Sequence, residues 1–279
     1  MLRLFLIFLS TVAVTLPATA AINVFATVPE WGALVREIGG DKVNVFTATT
    51  ALQDPHRIEA RPSLLAQARR AQLVVATGAD LEIGWLPVVL RDSGNADIQP
   101  GRPGYFEAAR YVTLIDIPAV LDRTQGDVHA AGNPHIQLDP RNFFRIGEAL
   151  AARLAELDPP NAAAYSAGYQ AFAGKWRNAI ARWEKEAAPL RGVAVLVHHQ
   201  SFRYLGQWLG LKETGTLEPK PGVEPTGKHL SSLLAAQQNA PARMVLRTAY
   251  QSAGPSEWIT QKAGIPAVML PFTVGGTPE

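Results

Sequence analysis

Residues 22–48, INVFATVPEWGALVREIGGDKVNVFTA, decide the fold. Residues 22–28 are mostly apolar and β-branched, residues 31–38 carry apolar side chains at helical spacing, and residues 42–48 again resemble a strand. Gly39-Gly40 lies between the second and third pieces, where glycine commonly ends a helix. A strand, a helix and a second strand in this order predict a βαβ unit on a parallel sheet.

The same rhythm continues along the first half of the chain. After Pro62-Ser63 we predict a helix over 64–70, a strand over 73–77, a helix over 81–90 and a strand over 111–115. Asp139-Pro140 is expected to begin a helix that Asp158-Pro159-Pro160 ends. These elements predict one α/β lobe over residues 22–158.

Residues 161–188 have no proline and carry apolar side chains at steps of three and four. This pattern predicts one helix of about 28 residues, roughly 40 Å long. It lies between two α/β halves, so we expect a connecting helix over 159–189, with an ordinary surface helix of a single domain as the alternative.

The second half repeats the alternation and predicts an α/β lobe over residues 190–279. The predicted elements are a strand at 193–198, helices at 202–209 and 229–238, a strand at 244–248, a helix at 256–263 and a strand at 267–270. The chain stops soon after the last strand, where a further helix would normally cover the sheet. We expect a C-terminal truncation, with a short natural end as the alternative.

The N-terminal residues predict a cleaved signal peptide over 1–21. Arg3 precedes an apolar run over 4–14, and Pro17 is followed by the small residues Ala18-Thr19-Ala20. A membrane anchor needs about 20 apolar residues, more than this run offers. The sequence contains no cysteine for lipid attachment, so we expect a periplasmic protein that is not lipid-anchored.

Composition narrows the class of protein. With 47% hydrophobic and 18% charged residues, the chain is globular and not disordered. Its 26 Lys and Arg exceed its 24 Asp and Glu by only 26 − 24 = 2, and no basic stripe is present. Nucleic acid is therefore not an expected partner.

Three histidines stand at the ends of predicted strands or in loops: His56, His135 and His199. Open α/β sheets bind ligands at the carboxyl ends of their strands, and imidazole nitrogen suits zinc, copper, iron and nickel. Their separations, 135 − 56 = 79 and 199 − 135 = 64 residues, are far too long for a zinc finger. A single loop histidine is more often solvent-facing than a ligand, so this placement alone leaves both interpretations open.

Three segments together resemble the signature stretches of the zinc and manganese ABC-transporter substrate-binding proteins (cluster A-I): DPHRIEARPS at 54–63, NPHIQLDP at 133–140 and HQSFRY at 199–204. The likeness runs from about Ile22 to the last residue. It implies two Rossmann-like lobes joined by one long rigid helix, with a metal ion held in the cleft by His56, His135 and His199. It also implies a binding protein, not an enzyme, whose partner is an ABC-transporter permease in the inner membrane.

The chain departs from the family pattern around the fourth ligand. Many relatives supply a carboxylate near the C-terminus, but residues 270–276 read LPFTVGG. Water, Glu59 or a residue beyond the present end could take that position. Asp139, Glu59 and His198 are candidate neighbours of the ligands; the two acids would accept the second imidazole N–H, though Asp139 is equally a helix cap. His129 stands alone where zinc-specific relatives carry a His-rich loop, so we expect at most a vestigial metal collector.

Three imidazoles and one oxygen favour Zn²⁺ as cargo over the harder Mn²⁺. We therefore predict a monomer that captures zinc and hands it to an importer. A zinc hydrolase with three histidines and a water is one alternative, but the chain has no H-E-x-x-H motif and no evident base beyond Glu59. A stand-alone periplasmic metal chaperone or adhesin is the other.

Overall fold

The computed structural model describes residues 20–118, 126, 128–238 and 241–277. Most of the predicted signal peptide, residues 1–19, therefore lies outside the described residues. Within them the chain forms two four-stranded parallel sheets covered by helices, which confirms the predicted α/β class. None of the described helices combines the length and apolar character that a membrane crossing requires.

The first sheet, with its helices, is the N-terminal lobe, and its strand order is β2-β1-β3-β4. The strands are β1 (Ile22–Ala26), β2 (Val43–Thr47), β3 (Leu73–Ala76) and β4 (Tyr105–Glu107). The helices are α1 (Pro29–Gly39), α2 (Pro62–Arg70) and α3 (Leu86–Ser93). Val24 of β1 aligns with Val45 on one side and Leu73 on the other. Because helices cover both faces of such a sheet, its central strands read as nearly continuous apolar runs.

Two predictions for this lobe are wrong in detail. The fourth strand is β4, which pairs with Val74–Ala76, whereas the predicted strand at 111–115 follows a 3-10 turn, Ala108–Tyr111. Its apolar side chains pack against the core without joining the sheet. The helix predicted over 81–90 begins only at Leu86. Residues 81–85 form turns, Trp85 has a non-helical φ of −143°, and a proline stands in the first turn of the helix.

Two helices follow the first sheet, α4 (Asn142–Leu157) and α5 (Ala162–Ala187). The 26 residues of α5 span about 39 Å at 1.5 Å per residue. Its buried residues include Tyr165, Phe172 and Ile180, which lie on the predicted apolar stripe. The stripe packs against α1 and α4, so the long helix is held firmly on the N-terminal lobe. The lobe boundaries at residues 158 and 189 stay predictions.

The second sheet, with its helices, is the C-terminal lobe and repeats the order of the first, β6-β5-β7-β8. Its strands are β5 (Ala194–Val197), β6 (Lys212–Thr216), β7 (Met244–Arg247) and β8 (Ala267–Met269). Its helices are α6 (Arg203–Leu209), α7 (Gly227–Ala236) and α8 (Ala253–Ala263). The polar strand β6, KETGT, was not predicted. It forms the edge of this sheet and pairs only with β5 among the described strands.

Candidate metal centre

The structure brings His56, His135 and His199 together between the two lobes. His56 lies between β2 and α2, His135 precedes α4, and His199 follows β5. The ring centroids are 5.3 Å apart for His56 and His135, 5.6 Å for His135 and His199, and 6.0 Å for His56 and His199. One nitrogen from each ring lies within 4.8 Å of the others. Three residues that are distant in sequence thus present their donor atoms to one small volume.

Asp54 orients the His56 ring. Its Oδ1 lies 2.7 Å from His56 Nδ1 and accepts a second hydrogen bond from the His56 backbone N–H at 3.0 Å. Burial acts to raise the pKa of Asp54, but the hydrogen bond and charge of His56 outweigh it and lower that pKa. An ionised carboxylate at Nδ1 favours the tautomer that leaves Nε2 for a metal. Consistent with this, His56 Nε2 is buried and has no protein hydrogen-bond partner in the structure.

Glu218 does the same for His199 from the C-terminal lobe. Its Oε2 lies 2.7 Å from His199 Nδ1 and accepts a hydrogen bond of 2.8 Å from the Gly222 backbone N–H. Glu218 follows β6, and its backbone N–H bonds to the His198 carbonyl. The edge strand therefore carries the carboxylate that fixes the His199 ring.

His135 is the most enclosed of the three, with 1% of its surface exposed. Neither of its ring nitrogens has a hydrogen-bond partner in the structure. Burial, and then the nearby rings of His56, His199 and His129, hold the pKa of His135 well below its usual value. A neutral imidazole keeps a lone pair for a metal, and metal ligation would satisfy a polar group that is costly to bury alone.

Asn133 and Tyr204 tie the His135 loop to the C-terminal lobe. Asn133 Oδ1 accepts the His135 backbone N–H at 3.0 Å, and its Nδ2 donates to the Gln200 carbonyl at 2.9 Å. The Tyr204 hydroxyl donates to the Asn133 carbonyl at 3.0 Å and accepts the Ile115 N–H at 3.3 Å. These bonds fix the distance between His135 and His199 across the lobe interface.

The other candidate residues lie elsewhere or act differently. Glu59 is exposed, unlike the buried His135 and His199. Asp139 forms an ion pair with Arg141 at 2.6 Å and accepts its backbone N–H at 3.0 Å. The N-cap of α4 is Arg141, without a side-chain cap, so Asp139 is not the helix cap. His198 is buried, and that burial lowers its pKa; its Nδ1 has no protein partner in the structure.

Sequence reasoning missed the two carboxylates that contact the triad. Asp54 had a visible signal, since it stands two residues before His56 in a proline-containing turn. No sequence signal pointed to Glu218, because its position next to His199 depends on β6, a strand that was not predicted.

Residues 24–279 match the profile of the family described as ZnuA, zinc-uptake complex component A, periplasmic. The chain belongs to this family. The resemblance seen in the three histidine segments is thereby confirmed.

Curated relatives of this family member are named for several metals. The chain is similar to the manganese ABC transporter substrate-binding lipoprotein scaA of Streptococcus gordonii, 26% identical over 161 residues, which are 57% of this chain and 49% of scaA. It is also similar to the iron ABC transporter substrate-binding lipoprotein MtsA of Streptococcus pyogenes serotype M1, 21% identical over 86% of this chain and 76% of MtsA. The alignment with scaA spans about half of that relative.

A solved structure of ZnuA is similar over most of both chains. It covers 91% of this chain and 92% of its own, with a TM-score of 0.77 and 25% sequence identity. The two-lobed α/β architecture of this family member is therefore that of ZnuA.

The predicted location needs correction. We expected a periplasmic protein that is not lipid-anchored, because the sequence has no cysteine. The curated relatives scaA and MtsA are both named lipoproteins, which contradicts the prediction that an anchor is absent. The prediction rested on the absence of cysteine and on the signal-peptide pattern of residues 1–21, almost all of which lie outside the described residues, and we withdraw it.

Proposed function

We propose that this protein captures a divalent transition metal ion, zinc, with His56, His135 and His199, and delivers it to the permease of an ABC importer. The observation that carries the proposal is the approach of one nitrogen from each ring to within 4.8 Å of the others. Its family membership and the transporter names of its relatives support the delivery step.

The donor set favours zinc. The three candidate ligands are nitrogens, and the two carboxylates beside them, Asp54 and Glu218, are engaged with the Nδ1 atoms of His56 and His199. Imidazole nitrogen suits zinc, whereas manganese, a harder ion, prefers oxygen. The relatives named for manganese and iron make this choice a question for experiment.

Delivery requires the lobes to separate slightly. His56 and His135 belong to the N-terminal lobe and His199 to the C-terminal lobe, so a small tilt breaks the site. The long helix α5 packs along the N-terminal lobe, and Asn133 and Tyr204 bond across the interface. We propose that the protein acts as a monomer outside the cytoplasmic membrane, and that docking on the permease drives this tilt.

Metal loading tests the capture step. The purified protein is incubated with equal concentrations of zinc, manganese and ferrous iron, then dialysed, and its bound ions are counted by elemental analysis. We expect one zinc per chain, lost in His56→Ala, His135→Ala and His199→Ala. His229→Ala is the control, because His229 binds the Thr216 carbonyl at 2.9 Å, outside the triad. Retention of zinc by the three triad variants would refute the proposal.

Two further measurements test delivery. Zinc uptake into vesicles that hold the cognate permease and ATPase is expected to require the protein and to fail with His135→Ala. Small-angle scattering with and without zinc is expected to show almost the same radius of gyration, because a stiff helix joins the lobes. A large change would contradict the small-tilt mechanism.

A further inference from the structure

A fourth histidine lies beside the triad. The ring centroid of His129 is 5.3 Å from that of His56, equal to the separation of His56 and His135. His129 also lines a cavity of about 170 Å³ together with His135 and His199. The triad is therefore bordered by another imidazole that comes from the loop preceding His135.

We propose that His129 supplies a fourth nitrogen to the metal bound by the triad, and that this nitrogen makes the site selective for zinc over manganese. The inference rests on the proposed function of His56, His135 and His199. Zinc accepts four ligands in a tetrahedral arrangement. Three imidazoles leave one position open, and a fourth nitrogen there favours zinc over manganese more strongly than a water or carboxylate oxygen would.

The oxygen donors considered for that position are engaged or distant. In the C-terminal segment the aromatic ring of Phe272 packs 5.3 Å from His135, and the adjacent Thr273 hydroxyl donates to Glu30. Asp54 and Glu218 bind the Nδ1 atoms of two ligands. Glu59 is exposed. His129 and Asp116 both line the cavity. The Asp116 carboxylate is paired with Arg203 and accepts a hydrogen bond from Asn133, so His129 is the better-placed donor.

Charge balance agrees with a site of four neutral imidazoles. Such a ligand set leaves the two positive charges of zinc uncompensated. The carboxylates of Asp54 and Glu218, each one hydrogen bond behind a ligand, supply two negative charges. A further carboxylate ligand would give the partly buried centre a net negative charge, so His129 fits better than an acid would.

Two hydrogen bonds anchor the backbone around His129. The Ala130 N–H donates to Asp80 Oδ2 at 3.1 Å, and the Gly132 N–H donates to the His129 carbonyl at 3.1 Å. The His129 ring is inclined 32° to that of His56, and its nitrogens are not among the group of donor atoms that lie within 4.8 Å of one another. Its ring must therefore turn about its side-chain torsions to reach the metal position.

The number of imidazole ligands can be counted directly. Each histidine bound to Co²⁺, a spectroscopic substitute for zinc, shows an exchangeable ring N–H proton at a strongly shifted position in the proton NMR spectrum. We expect four such signals for the unaltered protein and three for His129→Ala. This count in the unaltered protein needs no variant, so it remains decisive even if the variant folds poorly.

Competition titrations test selectivity. We expect His129→Ala to bind zinc roughly 10- to 100-fold more weakly, because losing a direct ligand costs at least as much as losing a residue that orients one. Manganese affinity is expected to stay within about twofold, since water can take the vacated position. His229→Ala is the matched control and is expected to change neither affinity.

Three signals in the unaltered protein, or equal zinc affinities with and without His129, would overturn the inference while leaving the triad intact. An unaltered protein that retains no metal would instead refute the proposed function itself. The two failures are thus distinguishable in one set of samples.

Discussion

Glu218 Oε2 lies 2.7 Å from His199 Nδ1, and the Gly222 N–H holds the same oxygen at 2.8 Å. The Gly222 N–H in the loop after β6 therefore fixes the carboxylate, and the carboxylate in turn fixes the His199 ring. Asp54 repeats the arrangement for His56, with its Oδ1 2.7 Å from Nδ1. Each lobe thus contributes one histidine whose Nδ1 is held by a carboxylate, which leaves Nε2 for the metal that we propose.

Glu218→Gln is expected to weaken zinc binding roughly 10- to 100-fold, the usual effect of losing a residue that orients a ligand. The amide oxygen still accepts the Nδ1 proton, but the negative charge that makes the imidazole a stronger donor is gone. Competition titration against a chelator of known affinity measures the change. Glu257→Gln, an exposed position in α8, removes the same charge and should bind zinc normally; equal affinities for the two variants would contradict the prediction.

Tyr204→Phe removes the hydroxyl that joins the Ile115 N–H and the Asn133 carbonyl. We expect a loss of about 1–3 kcal/mol in the free energy of unfolding, because two backbone groups lose their partner. Zinc affinity should fall as well, since Asn133 holds the His135 loop. Urea unfolding and zinc titration measure the two effects.

Tyr169→Phe is the matched control for Tyr204. The Tyr169 hydroxyl donates to the Phe144 carbonyl at 3.0 Å, away from the lobe interface. Tyr169→Phe should lower the free energy of unfolding by the same amount as Tyr204→Phe or less, and it should leave zinc affinity unchanged. If both variants bind zinc as the unaltered protein does, the bond between the lobes does not position the site.

Sequence reasoning succeeded where burial imposes a pattern. The long helix was predicted over 161–188 and spans Ala162–Ala187, because its apolar stripe must meet α1 and α4. The central strands β1, β3, β5 and β7 were predicted because they lie inside their sheets and need apolar side chains.

Prediction from sequence failed for a strand that is defined only by its backbone hydrogen bonds to a neighbouring strand. Strand β6, KETGT, lies at a sheet edge and is held by hydrogen bonds to β5, so its polar side chains give no periodic signal. The strand expected at 111–115 is apolar because it packs on the core, while β4 takes the sheet position.

Some residues of the candidate site were likewise predicted from sequence and others were not. The three histidines stand in recognisable local motifs and were found from sequence. Glu218 was not found, since its contact with His199 depends on the register of β6. The closeness of His129 to His56 was not predicted either, because the two residues are far apart in sequence and meet only in the folded chain.

Two glycines of α5 should respond oppositely to alanine. A Cβ atom at Gly168 would lie 2.1 Å from the Ile38 backbone oxygen, whereas one at Gly174 would meet nothing within 4 Å. We expect Gly168→Ala to destabilise the fold by about 1–3 kcal/mol, because α5 must move away from α1. Gly174→Ala should stabilise it by up to about 1 kcal/mol through helix propensity. Urea unfolding compares them, and equal effects would show that α5 does not pack this closely.

Glu30, buried at the start of α1, is expected to make stability depend on pH. Burial raises its pKa to about 7, although the hydrogen bond of 2.5 Å from the Thr273 hydroxyl acts to lower it. In the unfolded chain a glutamate ionises near 4.5. Between these values the folded protein keeps a proton that the unfolded chain has lost, so stability falls as pH rises through this window and levels off above it.

Glu30→Gln should remove this decline, which is on the order of 3 kcal/mol for a buried carboxyl with such a pKa. The variant keeps an oxygen for the Thr273 hydroxyl and carries no charge at any pH. Urea unfolding of chelator-treated protein at about pH 5 and about pH 8 measures the effect. We expect the variant to be more stable than the unaltered protein at the higher pH.

Glu37→Gln is the control on the same helix, because Glu37 forms a surface ion pair with Lys175. It should cost at most about 1 kcal/mol and leave the pH-dependent decline in place. Glu82 is also buried, and burial raises its pKa, so it is the rival source of the decline. If the decline persists in Glu30→Gln and disappears in Glu82→Gln, the titrating group is Glu82, and the role assigned to Glu30 at the contact with Thr273 is wrong.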